Sequence, residues 1–186
     1  VTDTYEPGSV FKIITSAIAL EENIVDTDTV TFNCTGSISI SGEPRPIQCH
    51  KYPYSHGAQS LRQALENSCN PAFVDLGLRI GAERSYKYYE ALGFFGKTGI
   101  SLSGEPKNGG IFYDVNKIKP HELGTASFGQ RFTITPIQMI TSAAAIANDG
   151  VLVQPQIVDH ITNTDTGEVT TFNTKKVRQV FSKETS

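Results

Sequence analysis

Tyr5-Glu6-Pro7-Gly8-Ser9-Val10-Phe11-Lys12 opens the apolar run Ile13-Ile14-Thr15-Ser16-Ala17-Ile18-Ala19-Leu20. Pro7 and Gly8 mark a helix start. Residues 9–22 contain neither Gly nor Pro and are long enough for about four turns at about 3.6 residues each. The run is apolar nearly all round, so the helix is expected to be central and buried. Ser9 and Lys12, three residues apart, share one face of it. A Ser hydroxyl is a weak nucleophile until a base takes its proton, and a lysine in a dry site has the lowered pKa for that task. The helix N-terminus adds unpaired N–H groups and a positive dipole end, both suited to an oxyanion. The same residues also read as an N-cap serine followed by a surface lysine. The position of Lys12 in an otherwise apolar helix weakens that second reading, and the rest of the chain has to decide between the two.

Working outward, 186 residues suffice for one domain with a real core. Sixteen Lys and Arg against 19 Asp and Glu give a net charge of −3, and there is no basic run. That balance argues against nucleic acid as a partner and against purely electrostatic membrane association. No stretch has the length of a membrane span, and the N-terminus does not read as a signal peptide.

The three cysteines are Cys34, Cys49 and Cys69. Cys34 and Cys49 flank a Gly- and Ser-rich segment and can pair across it or remain thiols. A zinc site from Cys34, Cys49, His50 and His56 matches no ordinary ligand spacing, so no metal site and no cofactor is assigned. His121-Glu122 is no zinc-protease motif, because position 125 is Thr125. Solvated or capping roles are expected for all four histidines.

Along the chain, residues 34–57 read as an excursion with short alternating pieces. Ser60 to Glu66 is a short helix opened by a capping box. Ser68-Cys69-Asn70 lies in a polar break before a helix over 72–80 that Gly81 stops. A further helix covers 82–92, residues 94–120 are loop-rich, and 123–131 reads as a turn region. Thr135-Pro136 caps a strong helix to Ala147. Residues 151–172 read as a β-hairpin around Asp165-Thr166-Gly167, and 177–181 as a last strand. Ser182 to Thr185 looks like a helix N-cap. The order of elements fits α+β.

Ser68 and Asn70 can face one cleft, with the hydroxyl relaying a proton and the amide holding a peptide group; they also read as a helix-capping pair. Gly96-Lys97-Thr98-Gly99 is no P-loop, because position 91 is Ala91 and the strand and helix stand in the wrong order. Nor does it sit where the Lys-Thr-Gly of serine acyltransferases belongs, on a sheet-edge strand, and it is read as a decoy.

Together these residues resemble the transpeptidase domain of class B penicillin-binding proteins, of the division and sporulation type. The resemblance rests on Tyr5 to Lys12, Asn67-Ser68-Cys69-Asn70-Pro71-Ala72-Phe73, Gly93 to Glu105, Ser127-Phe128-Gly129-Gln130, Thr135-Pro136-Ile137-Gln138 and Ala147-Asn148-Asp149-Gly150. Each is weak alone; their order and spacing are specific. Ser55-His56-Gly57 departs from the Gly-His-Gly of many relatives.

The resemblance implies a mainly helical portion of the penicillin-binding protein and serine β-lactamase-like fold, with part of the antiparallel sheet missing. It implies one partial domain over 1–186, without the preceding strands or the downstream catalytic Lys-Thr-Gly strand. It implies D,D-transpeptidation of peptidoglycan stem peptides: Ser9 as nucleophile, Lys12 as base, Ser68 as proton relay and Asn70 as substrate-binding residue. It further implies β-lactams as inhibitors, partners in a cell-wall synthesis complex and a place on the extracytoplasmic face of the bacterial cytoplasmic membrane. A serine β-lactamase or D,D-carboxypeptidase, or a non-catalytic β-lactam sensor or scaffold, shares the motif logic. With covering strands outside the chain, Ser9 and Lys12 are expected to be more exposed than in a whole enzyme.

Overall fold

The computed structural model describes residues 1–107 and 109–186. A 3-10 turn over Gly8–Phe11 leads into helix α1, Lys12–Glu21. Around it stand α2 (Leu61–Glu66), α3 (Asn70–Ile80), α4 (Ala82–Ala91) and α6 (Pro136–Ala147), all of which touch α1. The expectation of a central helix is met: Ile14, Ala17, Ile18 and Ala19 are buried. Phe11 anchors its N-terminal end in an aromatic cluster, with ring centroids 4.7 Å from Phe132, 5.5 Å from Tyr89 and 5.8 Å from Phe94. Rings at these separations add edge and offset stacking to the burial of large apolar area.

Capping fixes where the helices begin. Ser60 and Gln63 form the capping box of α2, and Thr135 and Gln138 that of α6. The expected turn region over 123–131 instead begins with a helix, α5, Pro120–Ala126. Pro120 stands in its first turn, and Glu122 Oε2 accepts from Lys119 N at 2.8 Å, a start signal that the glycines after it obscured. Helix α5 packs on α3 so closely that a Cβ at Gly77 would collide with Ser127, which explains the glycine.

Among the described residues the strands form four antiparallel pairs. β1 (Phe32–Cys34) pairs with β4 (Gly57–Gln59), and β2 (Ser37–Ile38) with β3 (Ile47–Gln48). β2 and β3 lie within the excursion over 34–57, which β1 and β4 bound; β1, β2 and β3 pack on α3, and β4 on α2. The hairpin expected over 151–172 is shorter than its alternation implied. Its two arms are β6 (His160–Thr162) and β7 (Val169–Thr171), while β5 (Val151–Val153) pairs with β8 (Lys176–Gln179). Pro155 cannot donate to a ladder, and the chain leaves β5 just before it. At the C-terminal end, Ser182 Oγ accepts from Thr185 N at 3.2 Å, the N-cap geometry that the sequence suggested.

Candidate active site

The four residues singled out in the sequence meet at one point. Lys12 Nζ lies 3.1 Å from Ser9 Oγ, 2.8 Å from Ser68 Oγ, 2.8 Å from Ser68 O and 2.7 Å from Asn70 Oδ1. Ser9 and Lys12 are brought together by the turn they share. Ser68 and Asn70 come from the α2–α3 junction, where Ser68 takes a left-handed backbone (φ 46°). Ser68 N donates to Leu65 O and Cys69 N to Ala64 O, both at 2.9 Å, so the chain reverses within a few residues. Helix α3 then starts at Asn70, two residues earlier than the polar composition implied, and this fixes the amide toward Lys12.

Ser9 is exposed, as expected, but Lys12 is not: its side chain is fully buried. The cover expected from strands outside the chain is supplied by the Ser68–Asn70 reversal and by the Phe73 and Phe128 rings, whose centroids lie 5.4 and 6.0 Å from Nζ. Burial pulls the lysine pKa down to about 8, with Cys69 and Cys49 opposing the shift. Burial wins because removing an ammonium from water costs more than these two neighbours return. A neutral amine has two N–H groups and one lone pair. Ser68 O and Asn70 Oδ1 only accept, so they take the two N–H bonds and leave the lone pair to a serine hydroxyl. The amide orientation fits, since Asn70 Nδ2 faces Gln48 O at 3.5 Å.

The Ser127-Phe128-Gly129 stretch frames the Ser9 turn from the other side, a role its sequence did not disclose. Gly8 N donates to Gly129 O at 2.8 Å, and Arg131 N to Glu6 Oε1 at 2.9 Å. Tyr5 and Ile134 exchange backbone bonds at 2.9 and 3.0 Å. Thr15 Oγ1 donates to Ser127 O at 2.7 Å, which ties α1 to the same stretch. Gly96 to Gly99 stays apart from the four-residue set. There Thr98 N, Thr98 Oγ1 and Gly99 N donate to the Glu105 carboxylate, and Lys97 is exposed. Reading that loop as a decoy agrees with this arrangement.

The model of the penicillin binding protein transpeptidase domain matches residues 1–186. This chain belongs to the penicillin-binding protein transpeptidase family. Among curated penicillin-binding proteins and transpeptidases it is 40% identical to stage V sporulation protein D of Bacillus subtilis, over 100% of this chain and 28% of that protein. It is 31% identical to the peptidoglycan D,D-transpeptidase PbpA of Mycolicibacterium smegmatis, over 98% of this chain and 36% of that one. Among solved penicillin-binding proteins, penicillin binding protein 3 of Mycobacterium tuberculosis in complex with aztreonam matches at a TM-score of 0.84 and 28% identity, over 100% of this chain and 40% of that one. The D,D-transpeptidase domain from Eggerthella lenta matches at 0.85 and 30%, over 99% and 46%. The chain thus spans about a third of the curated relatives' length. The α+β penicillin-binding protein fold expected from the sequence is the one observed.

A second cluster lies beside the first. Cys34, Cys49, His56 and Cys69 bring their ligand atoms within 4.8 Å of one another, and the three cysteines are buried free thiols. The set weighed from sequence held His50 where the structure has Cys69, and His56, half-exposed, also reaches Cys49 Sγ at 3.3 Å, a contact beyond the solvated or capping role expected. Burial pushes the Cys69 thiol up to about 11. At Cys34 burial acts the same way, but hydrogen bonds from the His56 and Gly36 backbone outweigh it and lower the thiol pKa.

Proposed function

We propose that the protein containing this chain is a serine D,D-transpeptidase that cross-links peptidoglycan stem peptides through an acyl-enzyme. The observation that carries this reading is the convergence of Ser9, Ser68 and Asn70 on the one buried amine of Lys12. Ser9 Oγ attacks the penultimate D-Ala carbonyl as its proton passes to the neutral Lys12 amine. The tetrahedral oxyanion collapses, the C–N bond breaks, and the terminal D-Ala nitrogen takes a proton through Ser68. The Ser9 N–H, in the first turn of its helix, has no partner within that helix and is positioned to donate to the oxyanion. The amine of a second stem peptide then attacks the ester and releases Ser9, and Asn70 holds the substrate amide and Lys12 together. β-Lactams, which mimic the D-Ala-D-Ala end, acylate the same hydroxyl.

The names of the relatives support this reading, as does the family fold. None of the helices among the described residues is long and apolar enough to cross a membrane. We place the active site on the extracytoplasmic face of the cytoplasmic membrane, where the stem peptides are, within a wall-synthesis complex. The rest of the active site, including a Lys-Thr-Gly strand, is assigned to residues outside the chain.

Intact-mass measurement of the whole protein with a penicillin, beside Ser9→Ala, tests the proposal. One adduct on the parent and none on the variant is the expected result. An adduct on both, or on neither, overturns the role of Ser9. Rapid hydrolysis of the adduct would instead fit a β-lactamase.

A further inference from the structure

Four donors of a metal-binding type converge from four places in the chain. Cys34 ends β1, directly opposite Gly57 of β4 in the ladder, and His56 immediately precedes β4. Cys49 follows β3, and its N–H donates to Gly36 O at 2.8 Å, which holds it against the turn after Cys34. Cys69 stands at the N-cap of α3. Cys49 Sγ lies 3.3 Å from His56 Nδ1, and all four ligand atoms fall within 4.8 Å of one another.

A tetrahedral zinc ion with bonds of about 2.3 Å to sulfur and about 2.0 Å to nitrogen needs ligand atoms about 3.5–3.8 Å apart. The cluster reaches that geometry with small side-chain shifts. A disulfide uses two of the three thiols and leaves the third thiol and His56 without a role. One zinc ion uses all four groups and takes three soft thiolates with an imidazole, a structural Cys3His set. Linear spacing hides the set, because β1–β4 pairing and the start of α3 assemble it.

We infer that Cys34, Cys49, His56 and Cys69 form a structural Zn2+ site that positions Ser68 and Asn70. Cys69 is the residue between those two, so an ion bound to its sulfur tethers the reversal that presents Ser68 Oγ, Ser68 O and Asn70 Oδ1 to Lys12. Binding exchanges zinc-bound waters for the four ligands and releases the thiol protons to solvent, with no change of oxidation state. The ion touches no reacting atom. The positioning role rests on the acyl-transfer reading; the metal site does not.

Elemental analysis of the whole protein, purified with its thiols reduced, tests the site. One zinc per chain is expected, with the three cysteines protected from alkylation until a chelator strips the ion. Exchange with Co2+ should produce the intense absorption of tetrahedral thiolate coordination. Cys34→Ser and His56→Gln should each lower retained zinc by tenfold or more. Zinc at background level, alkylation unaffected by the chelator, or undiminished zinc in both variants would overturn the site, as would a disulfide among the three in the native protein.

For positioning, penicillin acylation of Ser9 should fall about tenfold or more on stripping, the scale of loss when supports around a site are removed, and recover when Zn2+ returns. An unchanged rate in fully stripped protein overturns the positioning role. If loaded and stripped protein both fail to acylate, the acyl-transfer reading fails instead, while zinc content still decides the site.

Discussion

Lys12 Nζ and Asn70 Oδ1 lie 2.7 Å apart although 58 residues separate them in the chain. Since the amide oxygen can only accept, the contact fixes one N–H of the lysine whatever its charge. Replacing Asn70 with Asp puts a carboxylate at the same place and favours the ammonium. Asn70→Asp should therefore acylate at least about tenfold more slowly near neutral pH, with its rate midpoint moved to higher pH. A pH series of acylation rates by stopped-flow or intact mass checks this. A midpoint unmoved from the parent's would mean that Asn70 does not act through Lys12.

The lysine itself gives a second pH signature. Its pKa, lowered by burial to about 8 from 10.5, makes the neutral base available from about that pH upward. Acylation of the whole protein should rise with pH through a midpoint near that value. Stability follows the same linkage. Between the folded and unfolded pKa values the unfolded chain binds more protons, so stability rises with pH across that window. Below it the cost of the buried ammonium is fully present. Lys12→Met removes this dependence. The difference in unfolding free energy between parent and Lys12→Met, from denaturant titrations at pH 7.5 and 10, should shift in the parent's favour at the higher pH.

Gly129 sits with φ 83° against the backbone of Gly8, and a Cβ there would run into the Gly8 carbonyl. Gly129→Ala should destabilise by about 2 kcal/mol or more, the sum of left-handed strain and a backbone clash. The clash falls on the turn before Ser9, so acylation should drop by more than the folded fraction does. Thermal unfolding beside acylation of the folded protein separates the two effects.

Gln138 is the polar tie of the core. Its Nε2 faces the carbonyls of Gly93, Phe94 and Gly96 at 3.3, 3.1 and 3.0 Å, and its Oε1 accepts from Thr135 N at 2.9 Å. Gln138→Glu replaces the donor with an anion facing three carbonyls. It should destabilise by about 3 kcal/mol or more at neutral pH, recovering in part on acidification as the carboxyl protonates. Chemical denaturation at pH 7 and 5 provides the check, and equal losses at both would point to shape rather than charge.

Local signals carried the helices well. The unbroken run after Gly8, the Ser60–Gln63 and Thr135–Gln138 pairs and the stop at Gly81 act within one or two turns of chain, so their reading needs no tertiary context. The same holds for the Ser9–Lys12 spacing, which a helix converts directly into proximity. Helix α5 is not legible in the sequence because Gly124 and Gly129 outweigh the Pro120 start, and packing on α3 overrides that weak propensity. The sequence implies a longer hairpin than the structure has, because alternation marks a strand without naming its partner.

The sequence by itself determined the family, the order of the helices and the four residues that meet at the candidate active site, because ordered motifs and helical spacing are properties of the chain. Only the tertiary structure decided the environment of Lys12. Its burial depends on the Ser68 reversal and on Phe73 and Phe128, none of which is adjacent to it in sequence. The same is true of the cluster at Cys34, Cys49, His56 and Cys69, whose members become neighbours only when β1 pairs with β4 and α3 starts beside them.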